Sequence, residues 1–217
     1  MRAIIFANGV IEPDYPIHPD LLQGDLIIAA DGGMRNSLLY GIQPDIVIGD
    51  LDSISEEEKK LLSGASTHFI PYPQDKDQTD LELALGYAVQ IGADEALLLG
   101  LLGGRLDQTI ANILLLSRDN YSSLRLIVSA PPDTAHLLRE QDELIIEAKI
   151  GDLVSLIPLS MEVYGVTTYG LHWELNNAKL GFGSTLSISN EMIAPRISIK
   201  MNGGKLLVVH RRVGNMK

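Results

Sequence analysis

The 217-residue sequence predicts an α/β protein: an N-terminal open, mostly parallel sheet flanked by helices, followed by a C-terminal all-β sandwich domain. Three observations predict it. Up to about residue 130, short apolar runs alternate with segments of helical period, the pattern of β-α units around a parallel sheet. After Pro131-Pro132-Asp133 the texture changes to closely spaced runs of alternating or β-branched character. These are broken by Gly151, Gly165, Gly170, Gly181, Gly183 and Asn202-Gly203-Gly204, as in an all-β module. The third is bulk: 46% of residues are hydrophobic, and a chain of this length can bury roughly 70% of its unfolded surface. The boundary is expected near residue 134, giving domains 1–134 and 135–217.

In the first half, strands are expected at Arg2–Ala7, Leu26–Ala30, Ile46–Gly49, Thr67–Ile70, Glu95–Leu101 and Leu124–Ser129, all apolar enough to be buried on both faces. Helices are expected between them at Met34–Tyr40, Glu56–Leu62, Asp80–Ile91 and Leu106–Arg118. The third opens with Thr79-Asp80-Leu81-Glu82, a capping-box pattern. In the second half the expected strands are Leu144–Ala148, Leu153–Leu159, Val163–Tyr169, Leu186–Ser189, Ile197–Met201 and Leu206–His210.

Composition removes several function classes. The chain has 17 Lys+Arg against 28 Asp+Glu, a net charge of −11, and lacks a basic block. Duplex nucleic acids and anionic membranes both need a positive face, so neither is an expected partner. Zero cysteines exclude a disulfide framework, an iron–sulfur cluster, a Cys-ligated zinc and a thiol nucleophile. The apolar runs are too short to span a bilayer, and the expected location is cytoplasmic. The five histidines (His18, His68, His136, His172 and His210) show no metal-binding spacing, and there is no G-x-S-x-G.

In an open parallel sheet, ligands bind beyond the carboxyl ends of the strands. The first five expected strands all run into polar segments: Asn8-Gly9, Asp31-Gly32-Gly33, Asp50-Leu51-Asp52-Ser53, the run from Gln74 to Asp80, and Gly103-Gly104-Arg105-Leu106-Asp107-Gln108. One rim would thus carry Asp31, Asp50, Asp52, Asp75, Asp77, Asp80 and Asp107. So many carboxylates call for cations among them, and hard oxygen-ligand cations suit the donor set. Asp50 and Asp52, spaced i and i+2, would point the same way if the chain stays extended there. Gly32-Gly33 and Gly103-Gly104 precede helices, where bare amides attract anions, and Lys76 and Arg105 add mobile positive charge. Neither G-x-x-x-x-G-K-[ST] nor G-x-G-x-x-G is present.

Each motif also has a structural reading. Asp80 and Glu82 suit the first turn of a helix. Gly-Asp-Leu-Asp-Ser suits an Asx-type turn into a helix capped by Ser55, and Gly103-Gly104 a tight turn. Trp173 fits a core or a stacking wall for a flat heterocycle. The case for a site is that all the acidic and glycine motifs fall at one end of one sheet.

Four strings go further: Ala-Asp-Gly-Gly at 30–33, Gly-Asp-Leu-Asp-Ser at 49–53, Asp-Lys-Asp-Gln-Thr-Asp-Leu-Glu at 75–82 and Gly-Gly-Arg-Leu-Asp-Gln at 103–108. In this order the chain resembles the thiamine pyrophosphokinase family. Thr168-Tyr169-Gly170-Leu171-His172-Trp173-Glu174-Leu175 and Ser189-Asn190 look like the thiamine-side strands of that family. Gln108 stands where many members carry His.

The resemblance implies a homodimer with the active site at the subunit interface, and transfer of pyrophosphate from ATP to thiamine, giving AMP and thiamine diphosphate. It implies Mg²⁺ held by Asp50, Asp52 and Asp80, with Asp31 nearby. Lys76 and Arg105 would hold the transferring phosphates, while Gln78 and Asp107 would orient nucleotide or thiamine hydroxyl. Asn8, Gly32, Gly33, Thr79 and Gln108 would serve the nucleotide side. Ser189 and Asn190 would bond the aminopyrimidine, with Trp173 as an apolar wall. The alternatives are a pyrophosphokinase for another heterocyclic alcohol, such as a hydroxymethylpterin, and a nucleotide or thiamine sensor without turnover.

Overall fold

The computed structural model describes residues 1–11, 24–63 and 66–214, which form two compact units, Met1–Ala130 and Pro131–Lys217. In the first unit the elements run β1 (Arg2–Phe6), β2 (Leu26–Ala30), α1 (Gly33–Leu39), β3 (Ile46–Gly49), α2 (Glu56–Ser63), β4 (His68–Pro71), α3 (Asp80–Gln90), β5 (Glu95–Leu99), α4 (Leu106–Leu115) and β6 (Arg125–Ala130). The strands line up as β6-β5-β1-β2-β3-β4, every neighbouring pair parallel. Ile4, Phe6, Ile27, Leu97 and Leu99 pack under Tyr40 and Ile42, and Ala29 and Val47 pack under Met34, Ile54 and Leu62. Helix α3 packs against β1, β2 and β3 with Leu81, Leu85 and Ala88 buried. Both faces of the central strands are therefore covered, which explains why they read as continuous apolar runs.

Helix α4 stops at Leu115 rather than running on to Arg118. The Ser117 hydroxyl donates to the Leu114 carbonyl at 2.7 Å, and the Arg118 amide bonds Leu115 O at 3.1 Å, so the chain tightens into a turn. No α4 residue is buried, and Leu106, Ile110 and Leu114 expose one apolar stripe along it.

The second unit consists of two antiparallel layers. One is β12 (Asn190–Glu191), β9 (Leu153–Pro158), β14 (Leu206–Arg211) and β7 (Asp133–Leu138), in that order. The other is β11 (Ala178–Gly181), β10 (Glu162–Tyr169), β13 (Arg196–Lys200) and β8 (Glu143–Glu147). Alternate residues such as Leu144 and Ile146, Val154 and Leu156, and Ile197 and Ile199 point into one core. The stretch Leu186–Ser189, expected as a strand, is a turn. Ser187 exchanges two hydrogen bonds with Leu156, its hydroxyl donating at 3.0 Å and its carbonyl accepting at 2.9 Å. Ser189 then takes a left-handed φ of 58°, and strand pairing resumes only at Asn190.

The end of β14 is tied to the turn before β9 by Asp152, which is buried with His210. The Asp152 carboxylate accepts from the Val213 amide at 2.8 Å and lies 3.0 Å from His210 Nε2. Burial pushes this carboxyl up, but the Val213 amide, His210 and the Lys149 amide together outweigh it, so it sits below its ordinary value of 3.8. A lowered carboxylate stabilises the fold above its unfolded value and ceases to do so as pH falls through the folded one. Asp152→Asn is therefore expected to lower stability at pH 7 by about 1–3 kcal/mol. The gap between thermal melts of the two proteins should begin to narrow below about pH 4 and close as pH falls through the lowered folded value; a gap that persists unchanged in acid would contradict this.

Candidate active site

β1 lies between β5 and β2, so the chain leaves it towards β2, β3 and β4 and later returns on its other side through β5 and β6. The connections after β1 and β5 therefore diverge and open a crevice at the carboxyl edge. That crevice is a cleft of about 510 Å³ lined by Asn8, Asp31, Thr79, Asp80, Arg105 and Gln108, with the backbone of Gly100, Gly103 and Gly104 along one side. Its floor depends on close backbone approach. A Cβ on Gly9 would sit 2.3 Å from the Gly100 carbonyl oxygen, and one on Gly100 would sit 2.4 Å from that of Ala7. Buried Asn36 of α1 pins the turn after β1, donating to Ala7 O at 2.7 Å and Gly9 O at 2.8 Å.

At the edge of the cleft, carboxylates are crowded without being satisfied. Asp31 Oδ1 and Asp80 Oδ1 are both buried and neither has a hydrogen-bond partner. They are brought together across Gly49, whose Cβ would lie 2.8 Å from Asp31 Cβ and 3.1 Å from Asp80 Oδ1. Lys76 Nζ stands 2.9 Å from Asp80 Oδ1 as an ion pair. Burial raises the Asp80 carboxyl above its ordinary value; Lys76 opposes this, and Asp31 and Asp50 add to it by repulsion. Among the described residues no three Asp, Glu or His side chains form a complete metal cage.

The turn carrying Asp50 and Asp52 corrects the expectation of an extended chain. Leu51 has a left-handed φ of 61°, and the Asp52 amide donates to Asp50 Oδ1 at 3.1 Å, closing an Asx turn. The period-2 argument for two carboxylates on one side therefore does not apply. Ser55 and Glu58 form the capping box of α2: Glu58 N donates to Ser55 Oγ at 3.2 Å, and Ser55 N to Glu58 Oε2 at 2.8 Å.

The other expected residues divide by environment. Thr79 caps α3 by accepting from Glu82 N at 3.2 Å, while the Glu82 carboxylate turns to Arg118. Arg105 and Asp107 are exposed and bind each other in bidentate fashion, at 3.1 and 2.5 Å. Arg105 and the Gln108 amide hold the Asp107 carboxyl below its ordinary value, which makes it a poor proton acceptor. Gln78 and Asp52 are exposed. Gly32 and Gly33 are buried and outside the cleft lining; a Cβ on Gly33 would lie 2.0 Å from Phe6 O, and one on Gly32 2.7 Å from the Asn8 side chain. The amides of Met34 and Arg35 are already bonded to Asp31 O and Gly32 O.

In the second unit Trp173 is 63% exposed, so it is not a core residue. Asn190 is buried and engaged: its Oδ1 accepts from Trp173 N at 3.1 Å and its Nδ2 donates to Trp173 O at 2.7 Å. It fixes the backbone under Trp173 and His172, whose rings meet edge to face at 4.5 Å. Ser189 is exposed beside it.

Sequence reasoning assigned no role to Asn36, Gly49, Ser53, Arg35 or Glu58. Only Glu58 left a local signal of its contact, the Ser55-x-x-Glu58 spacing; the others act through partners 18 to 31 residues away.

Because the folded protein disfavours the charged form of Asp80, removing the charge relieves the fold wherever wild-type Asp80 is ionised. Asp80→Asn in chelator is thus expected to melt above wild type at pH 7, by about 2–4 °C for each ~1 kcal/mol relieved. The advantage should shrink as pH falls and the wild-type carboxyl protonates. A lower melting point at pH 7 would show that the Lys76 pair outweighs the repulsion.

Comparison with known proteins bears on both units. A family model described as thiamin pyrophosphokinase, catalytic domain, matches residues 18–128, and one described as thiamin pyrophosphokinase, vitamin B1 binding domain, matches residues 140–206. Thiamine pyrophosphokinase of Bacillus subtilis (strain 168) is 32% identical over 192 residues, covering 85% of this chain and 86% of the relative. The crystal structure of thiamine pyrophosphokinase from Bacillus subtilis superposes with a TM-score of 0.83 at 30% identity, over 99% of this chain and 100% of that one. The corresponding Geobacillus thermodenitrificans structure gives 0.80 at 26% identity, over 100% of both chains. With both units matched and the alignment running through nearly the whole chain, the protein belongs to the thiamine pyrophosphokinase family.

Proposed function

We propose that the protein transfers the pyrophosphoryl group of ATP to the hydroxyl of thiamine, forming thiamine diphosphate and AMP. The observation that carries this reading is the crowding of two buried carboxylate oxygens, Asp31 Oδ1 with no partner and Asp80 Oδ1 met by Lys76, in a cleft that also presents Arg105. Such a site is built for charge that the chain alone does not supply. Mg²⁺ fits that donor set, since it is commonly held by one or two carboxylates and completed by substrate phosphates and water, so a full protein cage is not needed. We assign Asp80, Asp50 and Asp52 to the metal, with Asp31 adjoining. When bound, the ion would supply Lewis-acid charge that offsets the negative charge developing on the phosphates and the departing AMP.

This chain's own residues then position and neutralise. Lys76, already at Asp80, and Arg105, at the mouth of the cleft, are the cations for the transferring phosphates. Asn8, Thr79 and Gln108 line the nucleotide side, and Gly32 and Gly33 act by letting α1 close onto β1. Gln78 and Asp107 orient hydroxyls through hydrogen bonds. On the thiamine side Trp173 supplies the exposed ring and Ser189 a polar contact, while Asn190 holds the Trp173 backbone. A homodimer belongs to the same reading: the exposed stripe of Leu106, Ile110 and Leu114 is apolar surface that association would remove from water. So does a cytoplasmic location, where ATP is abundant.

The deciding experiment incubates purified protein with ATP, Mg²⁺ and thiamine and separates AMP from ADP by chromatography. Thiamine-dependent AMP that disappears with chelator is expected. ADP would mean simple phosphoryl transfer, and thiamine bound without AMP would mean a sensor. Asp52→Asn should lose at least about two orders of magnitude in turnover; wild-type turnover at saturating Mg²⁺ would reject the metal assignment.

A further inference from the structure

The turn that bears Asp50 and Asp52 carries two exposed or half-exposed carboxylates and a leucine in a left-handed conformation, so its shape needs outside support. Part of that support comes from Arg35. Arg35, on the outer side of α1, donates from Nε to Glu58 Oε1 at 2.7 Å and from Nη2 to Glu58 Oε2 at 3.1 Å, and Nη2 also donates to the Ser53 carbonyl. Ser53 in turn donates its hydroxyl to Asp31 Oδ2 at 2.7 Å, leaving Asp31 Oδ1 as the unpartnered oxygen. Glu58 is fixed by the capping box with Ser55. A single guanidinium therefore joins α1, α2 and the turn between β3 and α2. The turn is clamped at Ser53 from both sides, by Arg35 on its carbonyl and by Asp31 on its hydroxyl.

We infer that Arg35 is a positioning residue for pyrophosphoryl transfer, holding the Asp50–Ser53 turn, through Glu58 and Ser53, in the shape that presents its carboxylates to a divalent cation. The inference rests on the pyrophosphokinase reading and adds a residue to it. Planarity makes the clamp possible: one fork engages a carboxylate bidentately and a carbonyl at the same time, which an ammonium on a flexible stem does not reproduce. Supporting residues of this kind typically change metal affinity or activity by about 10–100-fold when altered.

The test compares wild type, Arg35→Lys, Arg35→Ala and Asp52→Asn. Mn²⁺ binding is followed by electron paramagnetic resonance in the presence of a non-hydrolysable ATP analogue. Turnover, KM for thiamine and melting temperature are measured alongside. Arg35→Lys is expected to weaken Mn²⁺ binding by about tenfold or more and to lower kcat, with KM for thiamine and melting temperature little changed. Guanidinium ion at sub-denaturing concentration should restore part of the lost turnover to Arg35→Ala and none to Asp52→Asn. Arg35→Lys with wild-type Mn²⁺ binding and wild-type kcat would overturn the inference, as would a loss of activity that only tracks a fall in melting temperature. A wild-type protein that binds no Mn²⁺ with the analogue and forms no AMP would instead remove the reading on which Arg35 depends.

Discussion

The molecule is organised around uncompensated negative charge at the carboxyl edge of its parallel sheet. A parallel sheet delivers the ends of all its strands to one rim, and here β2 and β3 are each followed at once by an acid while α3 begins with one. Asp31 and Asp80 both pack beside Gly49 and each buries a carboxylate oxygen, that of Asp31 without a partner and that of Asp80 with only Lys76 against it. In water each carboxylate would be solvated; in the fold part of that solvation is lost and mutual repulsion is added, and burial with repulsion from Asp31 and Asp50 raises the Asp80 carboxyl against the pull of Lys76. Such a cluster costs stability in the empty protein, a pattern usual where binding, not folding, requires the charges.

The glycines are explained by the same constraint. Gly49 is where the two carboxylates meet, and even a methyl group there would press on Asp31 and Asp80. Gly9, Gly33 and Gly100 let β1, β5 and α1 come within backbone contact, which draws the rim loops into one cleft instead of spreading them along the edge. Two of the glycines that a motif search marks as phosphate-binding, Gly32 and Gly33, thus have a packing reason that is sufficient by itself.

How much of this was legible in the sequence depends on how local each cause is. β1, β2 and β3 could be read almost to the residue, because strands covered on both faces leave unbroken apolar runs. β7, with Asp, Thr and His among its six residues, carries no such run; it is a strand because β14 pairs with all six of its residues. The rim was legible as a set of loops, since parallel topology puts them together whatever their sequence. Its inner geometry was not. Alternation argues for Asp50 and Asp52 on one side only while the chain stays extended, and Leu51 at φ 61° is a conformation that a branched, bulky residue rarely announces. Arg35 reads as an exposed helical arginine, and Asn190 as a free amide, until their partners are seen.

A division of labour among the acids emerges from their surroundings. Asp107, exposed and locked to Arg105, has its carboxyl held below its ordinary value and so serves as a fixed charge and a hydrogen-bond acceptor. Asp80, half-buried among other carboxylates, is the one whose charge the fold resists and an incoming cation would favour. Asp50 and Asp52 sit on a turn whose shape is set by bonds to Arg35 and Asp31. Binding free energy at this rim would then be drawn chiefly from relieving Asp80 and Asp31, while geometry is set by the turn. Separating those two jobs lets the carboxylates that are costly to bury stay few, and lets the ones that need accurate placement stay in water until the triphosphate arrives.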